Sequence, residues 1–275
     1  QNLLQNKCQI ASARDPFEGG ELETIDISFD GYHGFHQGID YEDFDPETDR
    51  FLVRHYSAAT LEDRALNKRE LQRRFGIKEQ RKLFLIAIAS RLTEQKGFDL
   101  LFPVTDILMK ELPIQLVILG AGEGKYMGFF KELEERYPGR VGTHLIFDPI
   151  LPHMIHGGAD ALLIPSRFEP AGLLQLEAMR YGAIPIARKT GGLADTIADY
   201  DPLTKTGTGF LFENFDSQAM MIAIVRAYEN FRQHATWKAI QKQAMTSDFS
   251  WKQSAVEYLH LIEVAIELRK RDLAE

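Results

Sequence analysis

Arg91 and Lys96 stand five residues apart in Ser90-Arg91-Leu92-Thr93-Glu94-Gln95-Lys96-Gly97, directly after the apolar run Leu83–Ala89. Arginine offers a planar fork of donors and lysine a mobile point charge, a pair suited to two adjacent phosphates. An ordinary solvated loop carries such cations too. A second constellation follows Ala161–Ile164. Glu169, Pro170, Gly172, Leu173 and Leu174 lead into a helical pattern that contains Glu177. Pro170 fits a helix start, Gly172 permits close backbone approach to a ligand, and a helix N-terminus presents free N–H groups to an anion. Eight residues are slightly over two helical turns, so Glu169 and Glu177 are expected along one edge, each carboxylate able to accept sugar hydroxyls. The alternative is an acid favoured by the helix dipole beside an unrelated surface glutamate. Thr190-Gly191-Gly192 forms a third candidate, a glycine turn opening a helix. Alone it is weak, because most such pairs are simply turns.

These residues need elements that bring them together. Short apolar runs at Leu83–Ala89, Gln115–Leu119, Thr143–Phe147, Ala161–Ile164, Ala183–Ala187 and Gly209–Phe212 read as strands. Helical patterns lie between them, near Phe98–Lys110, Gly124–Tyr137, His153–Gly157 and Leu173–Tyr181. This alternation predicts an α/β, Rossmann-like parallel sheet with helices on both faces. In such a sheet ligands bind beyond the carboxyl ends of the strands, where each candidate residue falls. Upstream, Leu61–Phe75 reads as a helix with Leu66, Leu71 and Phe75 on one stripe, and Phe98, Leu101 and Phe102 read as core. Downstream, helices are expected at Ser217–Gln233, Thr236–Thr246 and Trp251–Arg271. The expected organisation is an uncertain segment or linker over 1–37, a Rossmann-like domain over 38–248 and a C-terminal helix over 249–275.

Composition narrows the partners. Thirty-two Lys and Arg against forty Asp and Glu leave a net charge of −8, a poor match to nucleic acid or an anionic membrane. No stretch approaches the ~20 apolar residues of a membrane span. One cysteine, Cys8, forms no internal disulfide, so a reducing, cytoplasmic setting is expected. Gly120-Ala121-Gly122-Glu123-Gly124 follows a strand, but its last glycine falls one position early for a dinucleotide loop. His153 and His156 have no adjoining Cys or acidic cluster, so no metal is expected.

The longer words are more specific. SRLTEQKGFDLL, GGADALLIPSRFEPAGLLQLEAMRYGAIPIARKTGGLADT and TGFLFENFD resemble the C-terminal half of bacterial glycogen synthases and plant starch synthases. GIDYEDFDPETD, TLEDRALNKRELQ and QAMTSDFSWKQSA are similar to the same family, and the likeness is colinear from about Gly38 to Ile266.

The resemblance implies two Rossmann-like domains with the active site between them, the GT-B arrangement. It implies transfer of glucose from ADP-glucose to an α-1,4-glucan with retention, and no metal or cofactor. Arg91 and Lys96 match the family's phosphate-binding residues, and Glu169 the acid that holds the donor glucose. Gly172 and Leu173 match the backbone that binds the distal phosphate, and Thr190, Gly191 and Gly192 the turn that shapes the cleft. Three positions depart from the pattern. Phe147 stands where a tyrosine commonly stacks on adenine, and Leu174 replaces a threonine. Glu177 restores the Glu-x7-Glu pattern of related retaining glycosyltransferases, whose second glutamate binds ribose. The family's N-terminal domain, with its own phosphate loop and much of the acceptor site, has no counterpart in residues 1–35. The chain alone is therefore expected to be an incomplete enzyme, with a C-terminal helix that crosses back onto the absent domain. The alternative is a non-catalytic module that binds nucleotide sugar or glucan.

Overall fold

Six strands form the sheet in a computed structural model that describes residues 38–272. Residues 1–37, with Cys8, the Gly31–His36 run and the expected N-terminal segment, lie outside the described residues. The strands are β1 (Phe84–Ala89), β2 (Ile114–Leu119), β3 (Val141–His144), β4 (Ala161–Ile164), β5 (Ile184–Arg188) and β6 (Phe210–Phe212). All pair in parallel, in the order β3-β2-β1-β4-β5-β6. Every residue of β1, β2 and β4 is buried, as a parallel sheet covered on both faces requires. The helices are α1 (Arg64–Arg74), α2 (Thr105–Glu111), α3 (Gly124–Arg136), α4 (Leu151–Gly158), α5 (Leu174–Arg180), α6 (Gly191–Thr196), α7 (Ser217–Phe231), α8 (His234–Thr246) and α9 (Trp251–Asp272). Local signals start several of them. Pro152 sits in the first turn of α4, and the Asp216 carboxylate caps α7 by accepting from the N–H groups of Gln218 and Ala219.

The strand order sets the position of the ligand crevice. The chain moves outward from β1 to β3, then returns to β4 on the other side of β1 and moves outward again. Loops leaving β1 and β4 therefore diverge at a topological switch point, where open α/β sheets bind ligands.

Four sequence expectations are corrected. The third strand ends at His144 rather than Phe147, because its partner β2 ends at Leu119 and the Gly120 N–H closes the ladder on the His144 carbonyl at 3.1 Å. The helix expected over Phe98–Lys110 is broken into a 3-10 turn at Phe98–Leu101 and α2. Pro103 lies at the break, with no N–H to give and a ring that crowds the preceding turn. Phe102 is 39% exposed rather than core, its ring against Phe129 at 4.5 Å. On α1, Leu66 is 40% exposed, and the buried face is mostly polar, with Arg64, Asn67, Lys68 and Gln72 beside Leu71.

That polar face is satisfied group by group. Lys68 Nζ donates to the Asp160 carboxylate at 2.5 Å and to the carbonyls of Arg81 and Leu83 at 3.1 and 2.6 Å. Asp160 also accepts from the Leu85 N–H at 2.8 Å. Arg64 donates to the carbonyls of His156 and Ala159. Burial depresses the Lys68 pKa, against the opposing pull of Asp160. Breaking a buried pair strands a charge and costs about 3–5 kcal/mol. Asp160→Ala should therefore lose about that much in urea unfolding, whereas a loss under about 1 kcal/mol, the scale of exposed pairs, would show the pair to be dispensable.

A second buried network joins α4 and α5 to the segment that precedes α1. Asp49 Oδ2 accepts from the Tyr181 hydroxyl at 2.5 Å and His153 Nδ1 at 2.8 Å. Burial pushes the Asp49 pKa up, but hydrogen bonds from His153, Tyr181 and the Phe51 N–H outweigh it and hold the group below the ordinary aspartate value. A carboxyl depressed on folding adds stability above its unfolded pKa, roughly 4. That stability is lost as pH falls through the folded value. Asp49→Asn should melt below the parent at pH 7, with the gap narrowing as the pH drops below about 4; a gap that widens in acid contradicts the assignment.

Candidate functional site

Two loops at the carboxyl edge are tied together by their backbones. After β1 the chain runs through Arg91 and Lys96 to Gly97, and after β4 it runs from Pro165 to Leu173. The Arg167 N–H donates to the Gln95 carbonyl at 2.8 Å. Gly97 has φ +73°, and a Cβ there would fall 2.0 Å from the Pro165 carbonyl oxygen. No larger residue lets the loops approach this closely.

The loops place Lys96 Nζ 2.5 Å from Glu169 Oε2, with both side chains largely shielded from water. Ser166, fully buried, donates its hydroxyl to the same Glu169 oxygen at 3.1 Å. Arg91 lies on the surface of the first loop, and its side chain has no hydrogen-bond or ion-pair partner among the described residues. A shielded lysine–carboxylate pair beside an unpartnered arginine suits a ligand carrying both negative charge and hydroxyl groups.

The glycine turn supports the second loop from behind. Gly192 donates its N–H to the carbonyls of Glu169 and Pro170 at 3.1 and 3.2 Å. A Cβ on Gly192 would lie 1.8 Å from the Ala171 carbonyl oxygen. Gly191, at φ +46°, packs against the Glu169 carbonyl in the same way. Thr190 is the residue before α6, in extended backbone with no side-chain cap.

The remaining candidates are placed less simply. Gly172 sits at φ +73°, and Leu173, 38% exposed, immediately precedes α5. Leu174 turns inward and packs against the core. Glu169 lies in the loop before α5, which begins at Leu174 as the sequence predicts, and Glu177 lies within that helix. Glu177 is held by His156 Nε2 at 3.2 Å. Phe147, beyond the end of β3, is 85% exposed, an aromatic face open to a ligand. His153 and His156 each hold a carboxylate, Asp49 and Glu177. Among the described residues no group of three or more His, Cys, Asp or Glu could hold a metal ion.

Sequence reasoning missed the residues that support this site. Arg188, at the end of β5, donates to the carbonyls of Ser166 and Arg167. Phe215 lies under the Arg167 guanidinium, 4.2 Å from its centre. Gln175, fully buried, donates to the carbonyls of Ala171 and Gly172. Polar residues flanking a strand end were the available signal, but their partners lie far away in sequence.

Known proteins resemble this chain in sequence and fold. The family profile of Glycosyl transferases group 1 matches residues 67–244. A glycogen synthase of Geobacillus stearothermophilus is 45% identical over 240 residues, covering 87% of this chain and 49% of its own length. Glycogen synthase 1 of a Synechocystis strain is 43% identical over 245 residues, covering 89% of this chain and 51% of its own. The chain thus spans about half the length of these relatives. Among solved structures, the catalytic domain of starch synthase IV from Arabidopsis thaliana, bound to ADP and acarbose, superposes with a TM-score of 0.77 at 34% identity. That match covers 84% of this chain and 48% of the other.

The packing of the glycine turn can be tested directly. Gly192→Ala must displace the Glu169–Gly172 loop to relieve its clash, at a cost of about 1–3 kcal/mol for overpacking. Amide exchange should rise across residues 168–173, and an unchanged exchange pattern there would mean that the turn does not brace the loop.

Proposed function

This chain belongs to the glycosyl transferases group 1 family, and on that premise we propose that it is the donor-binding half of a glycogen/starch synthase-type enzyme. The reaction proposed is transfer of glucose from ADP-glucose to an α-1,4-glucan with retention at the sugar carbon. The observation that carries this reading is the Lys96–Glu169 pair at 2.5 Å, held at the switch point beside Arg91. The synthase relatives and the starch synthase structure with ADP and acarbose support it.

Each residue then has a part. Arg91 and Lys96 take the diphosphate and neutralise the charge that grows on it as the sugar–phosphate bond breaks, which is electrostatic stabilisation of the transition state. Glu169 accepts hydrogen bonds from glucose hydroxyls. Binding therefore exchanges partners, Lys96 leaving Glu169 for phosphate while Glu169 turns to the sugar. The backbone at Gly172, Leu173 and Leu174 receives the distal phosphate, and Thr190, Gly191 and Gly192 shape the wall behind it. Phe147 stacks on the adenine, and Glu177, set by His156, faces the ribose. The acceptor glucan is held largely by a second Rossmann-like domain across the cleft, and the exposed apolar residues of α9, among them Leu259, Ile262 and Ile266, lie against it. No metal or cofactor takes part in this scheme.

Calorimetric titration with ADP and, in parallel, UDP tests the donor site. ADP should bind, and Arg91→Ala or Lys96→Ala should weaken it about 10–100-fold, the scale of a charged hydrogen bond. Glu169→Gln should keep ADP binding but lose the added affinity of the glucose in ADP-glucose. Absence of ADP binding in the parent chain sinks the proposal. ADP binding with no glucosyl transfer, even after the N-terminal half of a relative is supplied, would leave a nucleotide-binding module without catalysis.

A further inference from the structure

A second concave site lies at the amino edge of the sheet, opposite the loops just described. It is a cavity of about 620 Å³ between α1, the start of β1, the end of α7 and the start of α8. That volume falls within the range of small-molecule sites. Its lining carries six Lys and Arg residues against two acids, Glu62 and Asp160. The whole chain has a net charge of −8, so this concentration of positive charge runs against its composition.

The cations divide into two sets. Arg64 and Lys68 are buried and fully engaged with carbonyls, the Tyr56 hydroxyl and Asp160; they hold the floor together. Arg81 and Lys82 are exposed, adjacent in sequence and without a side-chain partner among the described residues. Lys238 and Arg232 form their ion pairs with exposed acids, Glu62 at 3.0 Å and Glu229 at 2.9 Å, and the Arg232 guanidinium also lies over the Tyr228 ring. Such pairs contribute little and exchange readily for a better anion. The start of α8 has no side-chain cap, so its first N–H groups add donors and the positive end of a helix dipole. The last N–H groups of the α7 turn close back on that helix, from Arg232 to Tyr228 and from Gln233 to Asn230. Half-buried Tyr228 and Phe231 supply an aromatic wall beside the buried Trp237.

We propose that this cavity binds a small phosphate ester of sugar size, with Arg81, Lys82, Arg232 and Lys238 holding the phosphate and the Tyr228–Phe231 wall meeting the carrier. An arginine fork and a lysine charge match a phosphate dianion. A carbohydrate or heterocycle face packs on an aromatic wall, and the volume exceeds what a bare phosphate fills. The site is separate from the donor loops, so its ligand is not the group that is transferred.

The test is titration of the chain with a hexose monophosphate, the unphosphorylated hexose and inorganic phosphate. Binding is read by calorimetry and by Trp237 fluorescence in a Trp251→Phe background. The hexose monophosphate should bind once per chain, at least tenfold more tightly than inorganic phosphate or free hexose, and more weakly as salt rises. Arg81→Ala/Lys82→Ala should weaken it at least tenfold without lowering the melting temperature, both positions being exposed. Arg91→Ala/Lys96→Ala should leave it unchanged. Three results overturn the proposal: no saturable binding, inorganic phosphate binding as tightly as the ester, or affinity lost with the Arg91/Lys96 variant and kept with the Arg81/Lys82 variant.

Discussion

Lys68, in the second turn of α1, meets Asp160 where β1, β4 and β5 begin. The Asp160 carboxylate joins α1 to β1 through Lys68 and the Leu85 N–H. Its backbone continues the link, donating to the Leu85 carbonyl and accepting from the Ile184 N–H. Two charges buried together are tolerable only when the remaining donors and acceptors are also met. Here all three ammonium protons have acceptors. The pair therefore sets the origin of both halves of the sheet, and from that origin the lengths of β1 and β4 set where their loops emerge.

At the opposite edge the constraint is contact between backbones rather than between charges. Gly97 against Pro165 and Gly192 against Ala171 bring three loops closer than any side chain would allow. Closeness of this kind is rigid, because neither surface has a side chain that can rotate away. It puts Lys96 within a hydrogen bond of Glu169 from a different strand.

The two edges are coupled through α4 and α5. His156 lies on α4 with its carbonyl on Arg64 and its ring on Glu177. Tyr181, just past α5, bonds Asp49, which also bonds His153 on α4. A chain of buried polar groups thus runs from the segment before α1 to the helix behind the second loop, and it orients Glu177 without any contact from the crevice itself.

The sequence by itself determined the class of fold and singled out the candidate site's main residues, because the patterns behind both are local. Apolar runs of strand length separated by helical patterns specify a covered parallel sheet, and the order of the long family words located Arg91, Lys96 and Glu169. Local pattern also misled where the deciding partner was distant. Phe98–Lys110 keeps a helical spacing that Pro103 breaks, and Leu145–Phe147 continues an apolar run after β2 has no more residues to pair. Only the tertiary structure decided that the stripe on α1 is polar and buried, since Lys68 and Gln72 are acceptable inside only because Asp160 and Gln115 wait there. It alone joined Glu177 to His156, and Lys96 to Glu169, which are 73 residues apart. Spacing along a chain predicts neighbours within one element, whereas a contact between elements depends on strand order and on how closely two backbones can approach.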